Sequence, residues 1–237
     1  MALPKLEVPI YELTVPSTDE KIKYRPFLIK EEKILLIAME SGANEDVIQA
    51  VKQIVSECTF NTLKLGNMPM FDVEYIFLQI RSKSVGEVSK LKVLCRDDGE
   101  TYANVEVDLT EIEVQVNDDH TNKIELTDEM GVIMKYPTID SFSTAGISDI
   151  TPENMLDVIV ACIDNIYDKK GEEVYDSKDS SKKELMDFVE GMNTTQFQDV
   201  QAFFDSMPKL RHEITVVNPK TKKENIVALS GLNDFFA

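Results

Sequence analysis

Apolar positions along this chain recur at two different spacings, and the change of spacing predicts its elements. Val47, Ile48, Val51, Ile54, Val55 and Cys58 fall three and four residues apart and predict one buried stripe of a helix. Asn44 stands where a cap is needed, and Glu45 and Asp46 suit the positive end of that helix's dipole. A helix over Lys30–Met39 precedes it. A third is predicted over about Asp72–Arg81, burying Tyr75, Ile76, Leu78 and Ile80, although its β-branched and aromatic content also suits a strand. The period then drops to two. Leu91, Val93 and Cys95 alternate with polar residues, Arg96-Asp97-Asp98-Gly99 supplies a turn, and Val105, Val107 and Leu109 alternate again, which predicts a hairpin with one buried face. Ile112, Val114 and Val116 extend the alternation, and Ile124/Leu126 and Val132/Met134/Tyr136 predict further strands.

Helical spacing returns at Thr151-Pro-Glu-Asn, a hydroxyl before a proline at the first helical position. Met155, Leu156, Ile159, Val160, Ile163, Ile166 and Tyr167 form its predicted buried face, and 169–179 is predicted as a polar loop. Ser181-Lys-Lys-Glu184 has the form of a capping box, and Thr194 is placed to cap a further helix with the stripe Phe197, Val200, Phe203, Phe204 and Met207, ended by Pro208. Glu213–Val217 and Asn225–Leu229 alternate around Asn218-Pro-Lys-Thr221 as a last hairpin. The fold class is therefore α+β: N-terminal helices, a small central antiparallel sheet, then C-terminal helices and a hairpin. The expected organisation is an extended, proline-containing arm over 1–29, a mainly helical domain from 30–87 and 138–237, and an inserted β subdomain at 88–137.

Composition narrows the function classes. The formal net charge is −18, and residues 95–130 hold twelve Asp and Glu against Arg96 and Lys123 alone. Proteins that neutralise phosphates cluster Lys and Arg, so nucleic acid is not an expected partner. The longest apolar runs, Ile34–Met39 and Val158–Ile163, have six residues each, whereas a membrane span needs roughly 20, so no membrane insertion is expected. The N-terminus lacks the charged-then-apolar order of a signal peptide, and Cys58, Cys95 and Cys162 are odd in number and far apart. Both point to a reducing, cytosolic setting.

Catalytic, cofactor and metal signatures are missing from the pattern. No two cysteines have ligand spacing, and neither His120 nor His212 has a His or Cys partner at such spacing. Leu91–Leu109 has the strand–knuckle–strand shape of a zinc site with Asp98 where a second thiolate belongs, so a buried Cys95 in an ordinary hairpin is the expectation. No nucleophile elbow, phosphate loop or calcium loop occurs. No catalytic, cofactor-binding or metal-ligating residue is assigned.

Several segments in a fixed order resemble a known family. They are Arg81-Ser-Lys-Ser-Val-Gly86, the Cys95 hairpin, Met134-Lys-Tyr-Pro137, Phe203-Phe-Asp-Ser-Met-Pro-Lys-Leu210 and Gly231-Leu-Asn-Asp-Phe-Phe236. Together they are similar to the baseplate hub assembly proteins of T-even-type contractile-tailed bacteriophages, over about residue 20 to the end. Some relatives carry a Cys-x-x-Cys-Gly knuckle, but this chain has Cys-Arg-Asp-Asp-Gly, so metal binding does not carry over. The resemblance implies a non-enzymatic role in the host cytoplasm, as a hub component in the virion or as an assembly chaperone. Its partners would be other phage hub or tail proteins, and a homo-oligomer is compatible with it. An unrecognised active site, or an acidic regulator of a basic protein, are the competing classes.

Candidate partner-binding residues are Phe203, Leu232, Phe235 and Phe236. Leu232, Phe235 and Phe236 share one side of a helical turn at the C-terminus, where they either fold back on the last hairpin or dock into a neighbour.

Overall fold

The computed structural model describes residues 6–141, 151 and 153–235, and the chain divides into two compact units. The first combines Met1–Leu65, Phe71–Gln115 and Lys209–Ala237; the second combines Gly66–Met70 and Val116–Pro208.

In the first unit, β1 (Tyr11–Thr14) and β2 (Lys21–Tyr24) form a hairpin within the predicted arm. Helices α1 (Ile29–Ser41) and α2 (Asn44–Cys58) then pack on each other, α1 ending at Gly42 in the left-handed conformation (φ 68°) that glycine adopts without strain. Val51, Ile54, Val55 and Cys58 of the expected α2 stripe are buried. Asn44 is not the cap: Ala43 holds that position, and Asn44 opens the helix. α3 (Met70–Val85) is a helix despite its β-branched content and buries Ile76, Phe77, Leu78 and Ile80. β3 (Val88–Leu94) and β4 (Tyr102–Asp108) pair in the predicted hairpin, Leu91 opposite Val105 and Val93 opposite Ala103. β5 (Val114–Gln115), β10 (Lys209–Val217) and β11 (Glu224–Ser230) make a separate sheet in the order β11-β10-β5. Leu91, Val93, Cys95, Val107, Leu109, Leu210, Ile214, Val216 and Leu229 close one core between these strands.

The second unit holds a four-stranded antiparallel sheet in the order β6-β7-β8-β9: Lys123–Glu125, Met130–Met134, Ile163–Asp168 and Glu173–Asp176. Three helices accompany it: α4 (Met155–Cys162), α5 (Lys182–Glu190) and α6 (Thr194–Ser206). Its core joins Val132 and Met134 to Val158, Ile159, Cys162, Leu185, Val189, Val200, Phe203 and Phe204. The Ser181/Glu184 capping box forms as predicted, each partner bonding the other's backbone N–H. The α6 cap is Asn193, with Gln196 as its reciprocal partner, and Thr194 is the first helical residue.

The α+β class and its order hold, with three differences in the strands. The strands of 88–137 belong to three sheets, because alternation specifies a buried face and not a pairing partner. Ile163, Ile166 and Tyr167 lie in β8 and not on a helix. The apolar run from Val158 crosses a boundary at Cys162 that periodicity cannot mark, since residues three apart suit both elements. The predicted polar loop at 169–179 contains β9, whose exposed residues carry no one-sided pattern. Pro152 of the predicted helix start lies outside the described residues; the backbone N–H of Thr151 donates to Asn154 Oδ1 at 2.8 Å, and Asn154 caps α4.

Candidate interaction surfaces

Two of the four residues singled out for partner binding are core residues. Phe203 is buried in the second unit, stacked on Tyr136 (ring centroids 5.7 Å apart) and edge-on to Phe204 at 5.1 Å. Phe235 is fully buried in the first unit beside Leu210, Ile214 and Leu229. Gly231, at φ 71°, turns the chain out of β11 into the short helix α7 (Gly231–Asp234). Asp234 Oδ2 accepts the Ser230 N–H at 2.8 Å and fixes that turn, which brings Phe235 back onto its own hairpin. The aromatic spacing that suggested docking suits self-burial equally well. The Leu232 side chain and Phe236 lie outside the described residues.

The chemistry-bearing side chains are occupied structurally. Cys95 is buried and the Asp98 carboxylate accepts the N–H groups of Glu100 and Thr101 (3.1 and 3.0 Å) and the Thr101 hydroxyl (2.6 Å). Asp97 accepts the Asn218 side-chain amide at 2.8 Å and the Thr221 hydroxyl, while its own N–H donates to Asn225 Oδ1 at 2.9 Å. These bonds, led by Thr101 at Asp98 and Thr221 at Asp97, hold both carboxyls below the ordinary range. The tips of the β3–β4 and β10–β11 hairpins are thus stapled by amides and carboxylates where a knuckle would use a metal. Among the described residues no group of three His, Cys, Asp or Glu is placed to hold a metal.

His120 sits against Tyr136 and Phe203, at 5.6 and 5.2 Å between rings, with Nδ1 2.9 Å from the Ser206 hydroxyl. That hydroxyl donates to the Ala202 carbonyl at 2.7 Å, so Nδ1 is the protonated nitrogen and donates to it. Among the described residues Nε2 is buried with no hydrogen-bond partner, and burial lowers the imidazole pKa. The ring is packed between aromatics, and its Nδ1, donating to Ser206, is not placed to take that hydroxyl's proton.

Helix α1 is held firmly at its start. Glu31 is fully buried, and its carboxylate accepts from Arg25 at 2.7 Å, from the Leu28 N–H at 2.8 Å and from Lys30 at 3.0 Å. Burial opposes the charge, but Arg25, Leu28 and Lys30 together outweigh it and hold the pKa at about 2. Leu35 and Ala38 share that inward stripe. Ile29, Leu36 and Met39 do not: they are 79, 54 and 43% exposed. Each fully exposed aliphatic side chain of this size forgoes about 1.5–3 kcal/mol of burial. A helix apolar around so much of its circumference is ordinarily covered by more than one neighbour. Other apolar exposure is more scattered: Leu94 and Tyr102 face each other across β3 and β4, and Val174 and Tyr175 lie on β9, at the edge of its sheet. A depression of about 930 Å³ in the second unit is lined by polar residues such as Asn67, Asp140, Asp157 and Lys182 together with apolar Met134, Val160 and Leu185.

These features describe an α+β protein in which Cys95, Asp97, Asp98 and His120 are built into the packing and part of the exposed apolar surface lies on helix α1. The chain belongs to the T4 bacteriophage base plate protein family, whose profile matches residues 8–237. No curated protein and no solved structure matches it. Among the described residues, no helix is long and apolar enough to cross a membrane.

Proposed function

We propose that this baseplate protein works by binding other phage baseplate proteins during construction of the hub, in the cytoplasm of the infected cell. It acts there as a hub component or as a chaperone that departs, and not as an enzyme. The observation that carries the reading is the outer side of α1, where Ile29, Leu36 and Met39 face water beside an inner side already packed. The family match supports the setting. The chain's resemblance to hub assembly proteins supports the finer assignment, and the structural use of Cys95, Asp97 and His120 supports a role without chemistry.

The test is a phage lacking the gene, with baseplates examined by electron microscopy and complementation from a plasmid. Baseplates arrested before completion, and restored by the plasmid copy, are the expected result; complete baseplates in the mutant would overturn the proposal. Mass spectrometry of purified virions separates the two versions: a hub component is present at fixed copy number, and a chaperone is missing.

A further inference from the structure

The outer side of α1 has an internal order that specifies its partner further. Ile29, Glu32, Leu36 and Met39 are spaced by three, four and three residues, the seam of one helix packing lengthwise on another. The inward stripe, Glu31, Leu35 and Ala38, lies one position away, hence about 100° round the helix. The two stripes are therefore adjacent, one packed within the chain and one exposed among the described residues, and exposed Ile37 lies outside both.

Glu32 is the unusual member of the seam. It lies half-buried between exposed apolar residues, and among the described residues it forms no ion pair, whereas its neighbours Lys30 and Glu31 are both engaged. Docking a helix along Ile29, Leu36 and Met39 covers this carboxylate, which is tolerable only with a cation opposite it. Exposed Glu40, Glu45 and Asp46 continue the negative charge beyond the seam, against Lys33 and a Lys30 already paired with Glu31 and Glu57. A second copy of the chain is the weaker fit: its α1 brings the same Glu32, on a molecule of net charge −18.

We infer that the Ile29–Glu32–Leu36–Met39 face of α1 receives an amphipathic helix of another baseplate protein, one that carries apolar seam residues and a Lys or Arg opposite Glu32. This rests on the proposed binding function and names the class of partner. A polar residue within an apolar seam fixes register, so Glu32 determines which helix docks as well as how.

A photo-crosslinking amino acid placed at position 36, with controls at 102 and 174, tests this in infected cells, followed by mass spectrometry of the joined peptides. The expected result is a crosslink from position 36 to a Lys- or Arg-bearing helical segment of another tail protein. Alongside it, Glu32→Lys should reduce recovery of that protein at least tenfold, with the melting temperature of the variant unchanged. Crosslinks from position 36 to a second copy or to an acidic segment would overturn the inference. So would tail-protein crosslinks from 102 or 174 with none from 36, which leaves the baseplate-binding function standing. Tail proteins crosslinked from no position would defeat that function as well.

Discussion

Glu31 and Asp72 are buried carboxyls with opposite electrostatic settings, and acid titration separates them. Glu31 is held at about 2 in the native state, so the folded chain binds fewer protons there than the unfolded one. Its stabilising contribution is complete above the ordinary value of 4.5 and is lost as pH falls through about 2. Asp72 runs the other way: burial raises its pKa against two hydrogen bonds from Ser17, so its contribution is greatest below 3.8 and is lost as pH rises through the native value. Unfolding titrations of Glu31→Gln should show a flattened acid limb. At neutral pH the variant should lose roughly 1.5–3 kcal/mol, because half-buried Arg25 loses its charged partner while keeping its bond to the Pro26 carbonyl. An unchanged acid limb would remove Glu31 from the account. The cysteines give a simpler test. Burial pushes Cys58 up to about 11 and Cys162 up to about 12, and it raises Cys95 as well. All three are expected to resist a thiol reagent at neutral pH in the native protein and to react on denaturation. Rapid stoichiometric labelling of the folded chain would contradict their burial.

The elements show what a sequence makes legible and where it stops. Helices α2, α5 and α6 were readable because long stripes such as Val51, Ile54, Val55 and Cys58 repeat over several turns, and because Ser181/Glu184 is a local signal read locally. Cap positions at Asn44 and Thr194 were off by one residue, since neighbouring Asn, Thr and Ala compete for a place fixed by backbone angles. Strand partners were not legible, because β5 finds β10 almost a hundred positions away, and nothing in Val114 or Gln115 encodes that distance. Of the candidate site, the C-terminal aromatic cluster was visible, and of its two readings, folding back or docking, Phe235 takes the first. Apolar spacing marks α1 as a helix but does not say which apolar face is left uncovered. Two predictions belong at this scale. Phe235→Ala should destabilise the protein by roughly 3–5 kcal/mol, and deleting Leu232–Ala237 should lower the melting temperature for the same reason. A truncated chain that melts like the parent would place Phe235 outside the core. Asn218→Ala, which removes the amide bridging the hairpin tips, should cost about 1–3 kcal/mol by chemical denaturation. No loss would mean that the staple is replaced by solvent without penalty.

For the whole molecule, the two units each bury their own aromatic and aliphatic core, while the acidic excess remains on the outside. On the proposed reading, charge of this size opposes nonspecific association and a limited apolar surface supplies specificity. Such a division suits a part that must find its neighbours in an assembly without binding nonspecifically to itself. Electrostatic attraction to a basic neighbour also speeds encounter, so association should slow as salt is raised. The most direct test is affinity purification of the tagged chain from infected cells at low and high salt, with stoichiometry by native mass spectrometry. The account predicts a defined complex with other baseplate proteins that weakens with salt; recovery of the chain alone, or with host proteins only, would contradict it.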